Sequence, residues 1–187
     1  MRKNDPRKNA PGGVTAGEGT EENQSVLRAL TRLVIKLLLA GAFLYLLFGC
    51  LFGLAVVDSN GMYPALHSGD IILFFRMGGA LREGDVVVYQ AQSQRHIGRV
   101  LATAGDTVDI DGSGALYING TLKQELVYYS TLPKEESGAE YPLAVGGDEV
   151  YILGDLRTAA TDSRDFGAVR TGSVTGKVLA VLRLRGF

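Results

Sequence analysis

The stretch on which the fold depends is Asp58-Ser59-Asn60-Gly61-Met62-Tyr63-Pro64-Ala65-Leu66, which begins where a long apolar run ends. Before it, Leu37 to Val57 carries no charged side chain, and after it short apolar runs alternate with turn residues. An uncharged run of this length is typical of a membrane span, whereas short runs bounded by turns are typical of strands. The stretch therefore marks the point where one kind of structure gives way to another.

Residues 32–57 are predicted to form a transmembrane anchor. A helix rises about 1.5 Å per residue, so about 20 apolar residues cross a hydrocarbon core of roughly 30 Å. Lys36 lies near the start of the span, where its stem can reach the interface. A cleaved secretory signal is the alternative, but its apolar core would be only about 7 to 15 residues long, so the length favours a retained anchor.

The charge pattern predicts the orientation of the anchor. Basic residues precede or open the span, namely Arg2, Lys3, Arg7, Lys8, Arg28, Arg32 and Lys36. The positive-inside rule then places the N-terminus in the cytoplasm and the rest of the chain outside the cell membrane. Residues 1–31 are polar and poor in large apolar side chains, which predicts a disordered cytoplasmic tail.

Residues 58–187 are predicted to form one extracytoplasmic, mainly β domain. Short runs rich in β-branched and aromatic residues, bounded by Gly and Asp, are typical of strands. The predicted strands are Ile71–Phe75, Val86–Tyr89, Arg99–Leu101, Val108–Ile110, Leu116–Ile118, Val150–Leu153 and Lys177–Leu184. Residues 130–148 contain two prolines and a charged stretch, which predicts a long surface loop.

The composition excludes several classes of site. The formal net charge of −1 over 187 residues gives no bulk attraction for nucleic acid. Cys50 is the only cysteine, so the chain has no intramolecular disulfide. His67 and His96 are the only histidines, and their spacing does not predict a metal site. We expect neither a metal nor another cofactor.

Four boxes follow the anchor in a fixed order. They are Ser59 to Leu66; Gly69-Asp70-Ile71-Ile72; Gly98-Arg99-Val100-Leu101-Ala102-Thr103-Ala104-Gly105-Asp106; and Gly154-Asp155-Leu156-Arg157 with Asp162-Ser163-Arg164-Asp165-Phe166-Gly167. A Gly-Asp pair alone is a common turn former. Together and in this order, the boxes resemble those of the type I signal peptidases, peptidase family S26. The resemblance implies an antiparallel β-sheet domain at the membrane surface that cleaves signal peptides.

The resemblance also implies a serine nucleophile and a lysine base, and this chain has neither. Gly61 stands at the nucleophile position, and Gly98, immediately before Arg99, stands at the base position. Ala160 replaces a serine that usually supports the lysine. Loss of one member of a catalytic unit costs several powers of ten in rate, and further losses add little. The ordinary peptidase mechanism is therefore expected to be absent.

The rest of the site is retained in sequence. The resemblance assigns Ser59 to the oxyanion site and Asp162 and Arg164 to a structural charge pair, with Met62, Pro64, Arg99 and Asp155 in the same boxes. These residues either maintain only the scaffold or preserve a groove for an extended peptide. In the second interpretation, the chain resembles the inactive signal-peptidase-like proteins of Gram-positive pilus loci. That resemblance implies a pilin client, with a sortase as a further partner.

Two alternatives to a natural pseudoenzyme remain. The first is a displaced dyad of Ser59 and His96, each two residues before the corresponding family position. Residues two apart on a strand face the same side, about 6.5 Å apart, so both groups could shift together. A histidine with a pKa near 6.5 is a sound base. The second is an ordinary signal peptidase that has been inactivated by substitution.

Overall fold

The computed structural model describes residues 18–76, 79–124, 131–133 and 139–183. The chain divides into two compact units, Met1–Tyr45 and Leu46–Phe187. The first contains most of one long helix, and the second contains the end of that helix and all of the strands.

Helix α1 spans Glu18–Leu51. Its segment Gln24–Leu51, with a mean hydropathy of 2.3, is long and apolar enough to cross a membrane. The helix begins inside the segment predicted to be a disordered tail, so that prediction is wrong for residues 18–31; residues 1–17 lie outside the described part of the chain. The propensity of residues such as Glu, Gln, Leu and Arg for helix explains the earlier start.

The predicted end of the anchor at Val57 is also wrong. The helix ends at Leu51, and Phe52–Val56 form strand β1, which pairs antiparallel with β2, Ile71–Phe75. At Gly53 a Cβ atom would lie 2.3 Å from the ring of Phe74, so glycine permits the close approach of these strands. The sequence remains apolar across this junction, and a continuous apolar run does not distinguish helix from strand.

The remaining strands, together with β1 and β2, form two antiparallel sheets. In chain order they are β3 Val86–Ala91, β4 Gln94–Ala102, β5 Thr107–Ile110, β6 Leu116–Ile118, β7 Thr121–Leu122, β8 Leu143–Ala144, β9 Glu149–Leu153, α2 Ser163–Phe166, β10 Val169–Arg170, a 3₁₀ turn Thr171–Ser173 and β11 Val174–Leu182. The seven-stranded sheet has the order β1-β2-β11-β3-β4-β9-β10, and the four-stranded sheet has the order β7-β6-β5-β8. The mainly β, antiparallel fold class is confirmed.

All seven predicted strands are present; several extend further than predicted, and the last ends at Leu182, before its predicted end at Leu184. The described part of the predicted 130–148 loop contains the two-residue strand β8, while residues 130 and 134–138 of that loop and residue 184 of the last predicted strand lie outside the description. Three clusters of buried side chains form the core, centred on Tyr151 and Leu153, on Met62 and Phe74, and on Tyr89 and Ile152.

An ion pair joins the last strand region to the loop before β2. Nη2 of Arg183 donates to Oδ2 of the buried Asp70 at 3.0 Å and to the carbonyl of Ala65 at 3.1 Å. The backbone N–H of His67 also donates to Asp70, at 2.9 Å. These hydrogen bonds, the one from Arg183 first, hold the pKa of Asp70 below its usual range.

The lowered pKa predicts an acid-dependent loss of stability. A group whose pKa is lower in the folded state contributes stability above its unfolded pKa, about 3.9, and loses it as the pH falls through the folded value. We expect Arg183→Met and Asp70→Asn each to flatten the dependence of unfolding free energy on pH below about 5. Urea unfolding of the detergent-solubilised chain measures this, and an unchanged wild-type slope in Arg183→Met would contradict the assignment.

Candidate active site

The β1–β2 loop places the first box against the core. Met62 and Leu66 are buried in the cluster that contains Phe74. The N–H of Tyr63 donates to the carbonyl of Asn60, and that of Leu66 donates to the carbonyl of Met62, both at 2.9 Å. The buried Met62 therefore fixes the position of its neighbour Gly61, which is also buried.

The fourth box packs directly on Gly61. The N–H of Leu156 donates to the carbonyl of Gly61 at 3.0 Å. A Cβ atom at Gly154 would lie 2.6 Å from that carbonyl oxygen and 2.2 Å from Cβ of Ala160, so only glycine fits at this position. A Cβ atom at Gly61 itself would lie 3.4 Å from Ala160, which is ordinary contact. The nucleophile position is thus adjacent to Ala160 and has room for a side chain.

The base position is sterically different. Gly98 lies on β4 opposite Val87 of β3, and it is buried. A Cβ atom there would lie 2.5 Å from Cγ2 of Ile152 and 3.2 Å from the carbonyl oxygen of Leu153. Ile152 is completely buried, and Cγ2 is attached directly to its Cβ atom, so it cannot swing away as the end of a long side chain would. Strand β9 therefore occupies the space that a side chain at residue 98 would enter.

A pocket of about 200 Å³ lies over Gly61. Its wall brings together Ser59, Gly61, His96 and Ala160 from the predicted site. The lining also includes Asp58, Gln94, Arg95, Ile97, Ala159 and Thr161. The other predicted site residues do not line this pocket: Met62, Pro64, Gly98, Arg99, Asp155, Asp162 and Arg164.

His96 lies at the inner wall of the pocket. Its ring stacks on Tyr89, with a centroid distance of 5.5 Å, and lies 5.8 Å from the ring of Phe166. Nε2 is buried and has no hydrogen-bond partner among the residues that the structure describes. No hydrogen bond joins it to Ser59 within that part of the chain. Ser59 and His96, the predicted displaced dyad, therefore line one pocket, but no hydrogen bond joins them in the part of the chain that the structure describes.

Two ion pairs involve residues of the third and fourth boxes. Arg99 forms a two-pronged pair with Asp155, at 2.8 and 2.7 Å, and also donates to the carbonyl of Gly84 at 3.1 Å. Asp162 and Arg164 form a second, buried pair: Oδ1 of Asp162 accepts from Nε of Arg164 at 2.9 Å. Asp162 also caps helix α2 and accepts the N–H of Gly154 at 3.0 Å, so one carboxylate orients the whole fourth box.

Sequence reasoning missed three residues of this region. Tyr89 and Phe166 form the aromatic surroundings of His96, and Ile152 fills the space at Gly98. Each was visible only as an apolar residue in a predicted strand or box. Burial raises the pKa of the Tyr89 hydroxyl above its ordinary value, which keeps it neutral at physiological pH. Within the described ranges, no group of three or more His, Cys, Asp or Glu residues could hold a metal ion.

Comparison with known proteins finds similar sequences in one family. The family model "Signal peptidase, peptidase S26" matches residues 30–183. The chain is 28% identical over 158 residues to signal peptidase I S of Bacillus subtilis (strain 168), covering 79% of this chain and 83% of that protein. It is 27% identical over 176 residues to signal peptidase I of Bacillus licheniformis, covering 87% and 91% of the two chains.

Further similarities extend to another genus and to a solved structure. Signal peptidase IB of Staphylococcus aureus (strain N315) is 28% identical over 141 residues, which cover 65% of this chain and 73% of that protein. A crystal structure of a signal peptidase I from Enterococcus faecalis V583 aligns with a TM-score of 0.43 and 26% identity, covering 55% of this chain and 98% of that one. The family model spans the anchor and all four boxes, and the chain belongs to the S26 family of signal peptidases as a membrane-anchored member.

Proposed function

We propose that this chain is a non-catalytic signal peptidase homologue that holds an extended polypeptide during assembly of a secreted surface polymer. The observation that carries the proposal is the packing at Gly98, where a Cβ atom would lie 2.5 Å from Ile152. A lysine base cannot be accommodated there without displacing a buried strand side chain. Without a base, a hydroxyl group anywhere near Gly61 remains a poor nucleophile.

The pocket over Gly61 supports binding without cleavage. It is lined largely by polar residues, and the exposed Ser59, Gln94 and Thr161 offer hydroxyl and amide groups. Such groups can hydrogen-bond the main chain of a peptide, which requires no catalytic dyad. His96 lines the pocket, and its ring packs against those of Tyr89 and Phe166, which restricts its movement.

The proposal also includes the orientation of the chain in the membrane and the identity of the polypeptide that it holds. In this proposal the N-terminus is cytoplasmic and the β domain lies outside the cell membrane, an orientation that the basic residues before the span support by the positive-inside rule. The Gly-Arg-Val sequence at 98–100 within intact boxes resembles the signal-peptidase-like proteins of Gram-positive pilus loci. The client is accordingly a pilin, and a sortase is the further partner that polymerises it.

A site-specific crosslinking experiment tests the peptide-holding role. A photocrosslinking amino acid at Thr161, on the pocket wall, is expected to capture the pilin in intact cells. The same amino acid at the exposed Ser113, which does not line this pocket, is the matched control. In a deletion strain we expect pilin polymerisation to fail while signal-peptide cleavage continues. Normal polymerisation with defective cleavage would overturn the proposal.

The second candidate is a peptidase that uses Ser59 and His96. The specific observation in its favour is that both residues line one pocket and that Nε2 of His96 has no hydrogen-bond partner in the described ranges. If this dyad operates, the purified chain cleaves a fluorogenic signal peptide, and Ser59→Ala and His96→Gln each abolish cleavage. Cleavage that survives Ser59→Ala would exclude this mechanism, and no cleavage by the wild-type chain would favour the non-catalytic role.

A further inference from the structure

A second pocket, of about 670 Å³, lies where β2, β11 and the segment that begins at Gly79 meet. Its apolar lining includes Phe75, Leu81, Val174 and Leu179. It shares no lining residue with the pocket over Gly61. Small-molecule sites in proteins have volumes of about 300 to 1,000 Å³ and predominantly apolar walls, so this pocket has the size and character of a ligand site.

The wall of this pocket is tied to the end of the apolar helix. Phe75 pairs with Phe52, the first residue after helix α1, and their rings lie 5.5 Å apart. The N–H of the next residue, Arg76, donates to the carbonyl of Leu51 at 2.7 Å, and its Nε donates to the carbonyl of Phe52 at 3.0 Å. Since Gln24–Leu51 is a membrane-spanning segment by length and composition, its end lies at the bilayer interface. The pocket therefore opens close to that interface.

The sheet beside the pocket presents an apolar outer face. Cross-strand register aligns Leu54 with Leu73 and Ala180, and Val56 with Ile71 and Leu182. The row nearest the helix aligns Phe52 with Phe75 and Lys177. Leu54 and Leu182 are 66% and 56% exposed, which is unusual for leucine on a strand in contact with water. The apolar pocket thus continues into an apolar surface.

We propose that this pocket binds one acyl chain of a bilayer phospholipid. Its apolar walls match a hydrocarbon chain, and its position at the end of the helix gives lipid direct access. The lining also contains the cationic side chain of Lys177, which can attract the phosphate of the headgroup. This site does not depend on the proposed handling of pilin, and it would operate equally in an active peptidase.

Native mass spectrometry of the full chain tests the site. The protein in detergent is mixed with palmitoyl-oleoyl-phosphatidylglycerol, and we expect one lipid to remain bound per chain. Leu179→Asp should lower the affinity about tenfold, because a charged group replaces apolar contact with the acyl chain. Leu182→Asp is the matched control, since both leucines lie on β11 with exposures of 55% and 56% but only Leu179 lines the pocket. Equal lipid retention by the two variants would overturn the proposal.

Competition identifies the part of the ligand that is recognised. Oleate should displace the bound lipid, whereas glycerophosphoglycerol, which has the headgroup but no acyl chain, should not. Displacement by the headgroup alone would assign a phosphate site in place of an acyl-chain site. Displacement by an apolar client peptide, with no effect of oleate, would assign a peptide site, and either result contradicts the proposal.

If Leu179→Asp does not fold, a fluorescence measurement tests whether an acyl chain occupies the pocket. The chain contains no tryptophan, so Leu179→Trp introduces a single reporter. With brominated acyl chains at about one lipid per protein in micelles, we expect stronger quenching at residue 179 than in Leu182→Trp, because quenching requires close approach of the chain. Equal quenching at the two positions would show that the pocket holds no acyl chain.

Discussion

Adding one methyl group at Gly98 should destabilise the protein, whereas adding the same group at Gly61 should not. A Cβ atom at residue 98 would lie 2.5 Å from Cγ2 of the buried Ile152, but at residue 61 the closest atoms are 3.4 Å away. Overpacking a core typically costs about 1 to 3 kcal/mol. We therefore expect Gly98→Ala to lower the free energy of unfolding by about 2 kcal/mol and Gly61→Ala to change it by less than about 0.5 kcal/mol.

Backbone strain does not contribute to the expected difference between Gly98→Ala and Gly61→Ala. Neither Gly61 nor Gly98 has a positive φ, so alanine is conformationally acceptable at both positions. Urea unfolding of the two variants measures the difference. A double-mutant cycle with Ile152→Ala identifies its cause, because Gly98→Ala should cost less once Cγ2 is removed. A neutral Gly98→Ala would show that the base position is open and would remove the main support for a non-catalytic role.

The same packing predicts the outcome of restoring the family residues. Gly61→Ser fits beside Ala160 but should give no cleavage, since one member of a catalytic unit is ineffective without the other. Gly98→Lys adds a long cationic side chain to a buried strand position, so the double variant should be destabilised and inactive. Cleavage of a signal-peptide substrate by Gly61→Ser/Gly98→Lys would instead indicate a recently inactivated peptidase.

The strands and the family could be predicted because their signals are local. Short β-branched runs bounded by Gly-Asp turns define the strands, and the four boxes occur in a fixed order. The family resemblance also assigned Gly61 and Ala160 to the same site, although their direct contact is seen only in the structure. The residue types within each short segment, and the order of the segments along the chain, were therefore sufficient to predict these strands and the family.

The features that could not be predicted depend on packing between distant segments. The end of α1 at Leu51 is set by the pairing of β1 with β2, and the apolar run gives no change of period there. The blocked space at Gly98 depends on Ile152, 54 positions later, and on the register of β4 with β9. The pocket at Phe75 requires β11 to pair with β2 across about a hundred residues, which no local pattern specifies.

Replacing Arg164 with methionine should be the most destabilising single change at the site. Asp162 is 1% exposed, and its carboxylate accepts from Nε and Nη2 of Arg164, both at 2.9 Å. Removing one partner of a buried ion pair typically costs about 3 to 5 kcal/mol, because the remaining charge stays in a poorly solvating environment. For a chain of this size such a loss lowers Tm by roughly 10 °C.

A second substitution separates the charge effect from lost packing. Asp162→Asn in the Arg164→Met background removes the buried charge but keeps an oxygen that can accept the N–H of Gly154, so part of the stability should return. Arg99→Met is the comparison at the second pair, where the arginine side chain is 30% exposed and water can solvate Asp155 after the change, so its loss should be smaller. Thermal unfolding of the three variants measures these effects. If Arg164→Met and Arg99→Met cost the same, burial of the Asp162 carboxylate does not control the stability of the fourth box.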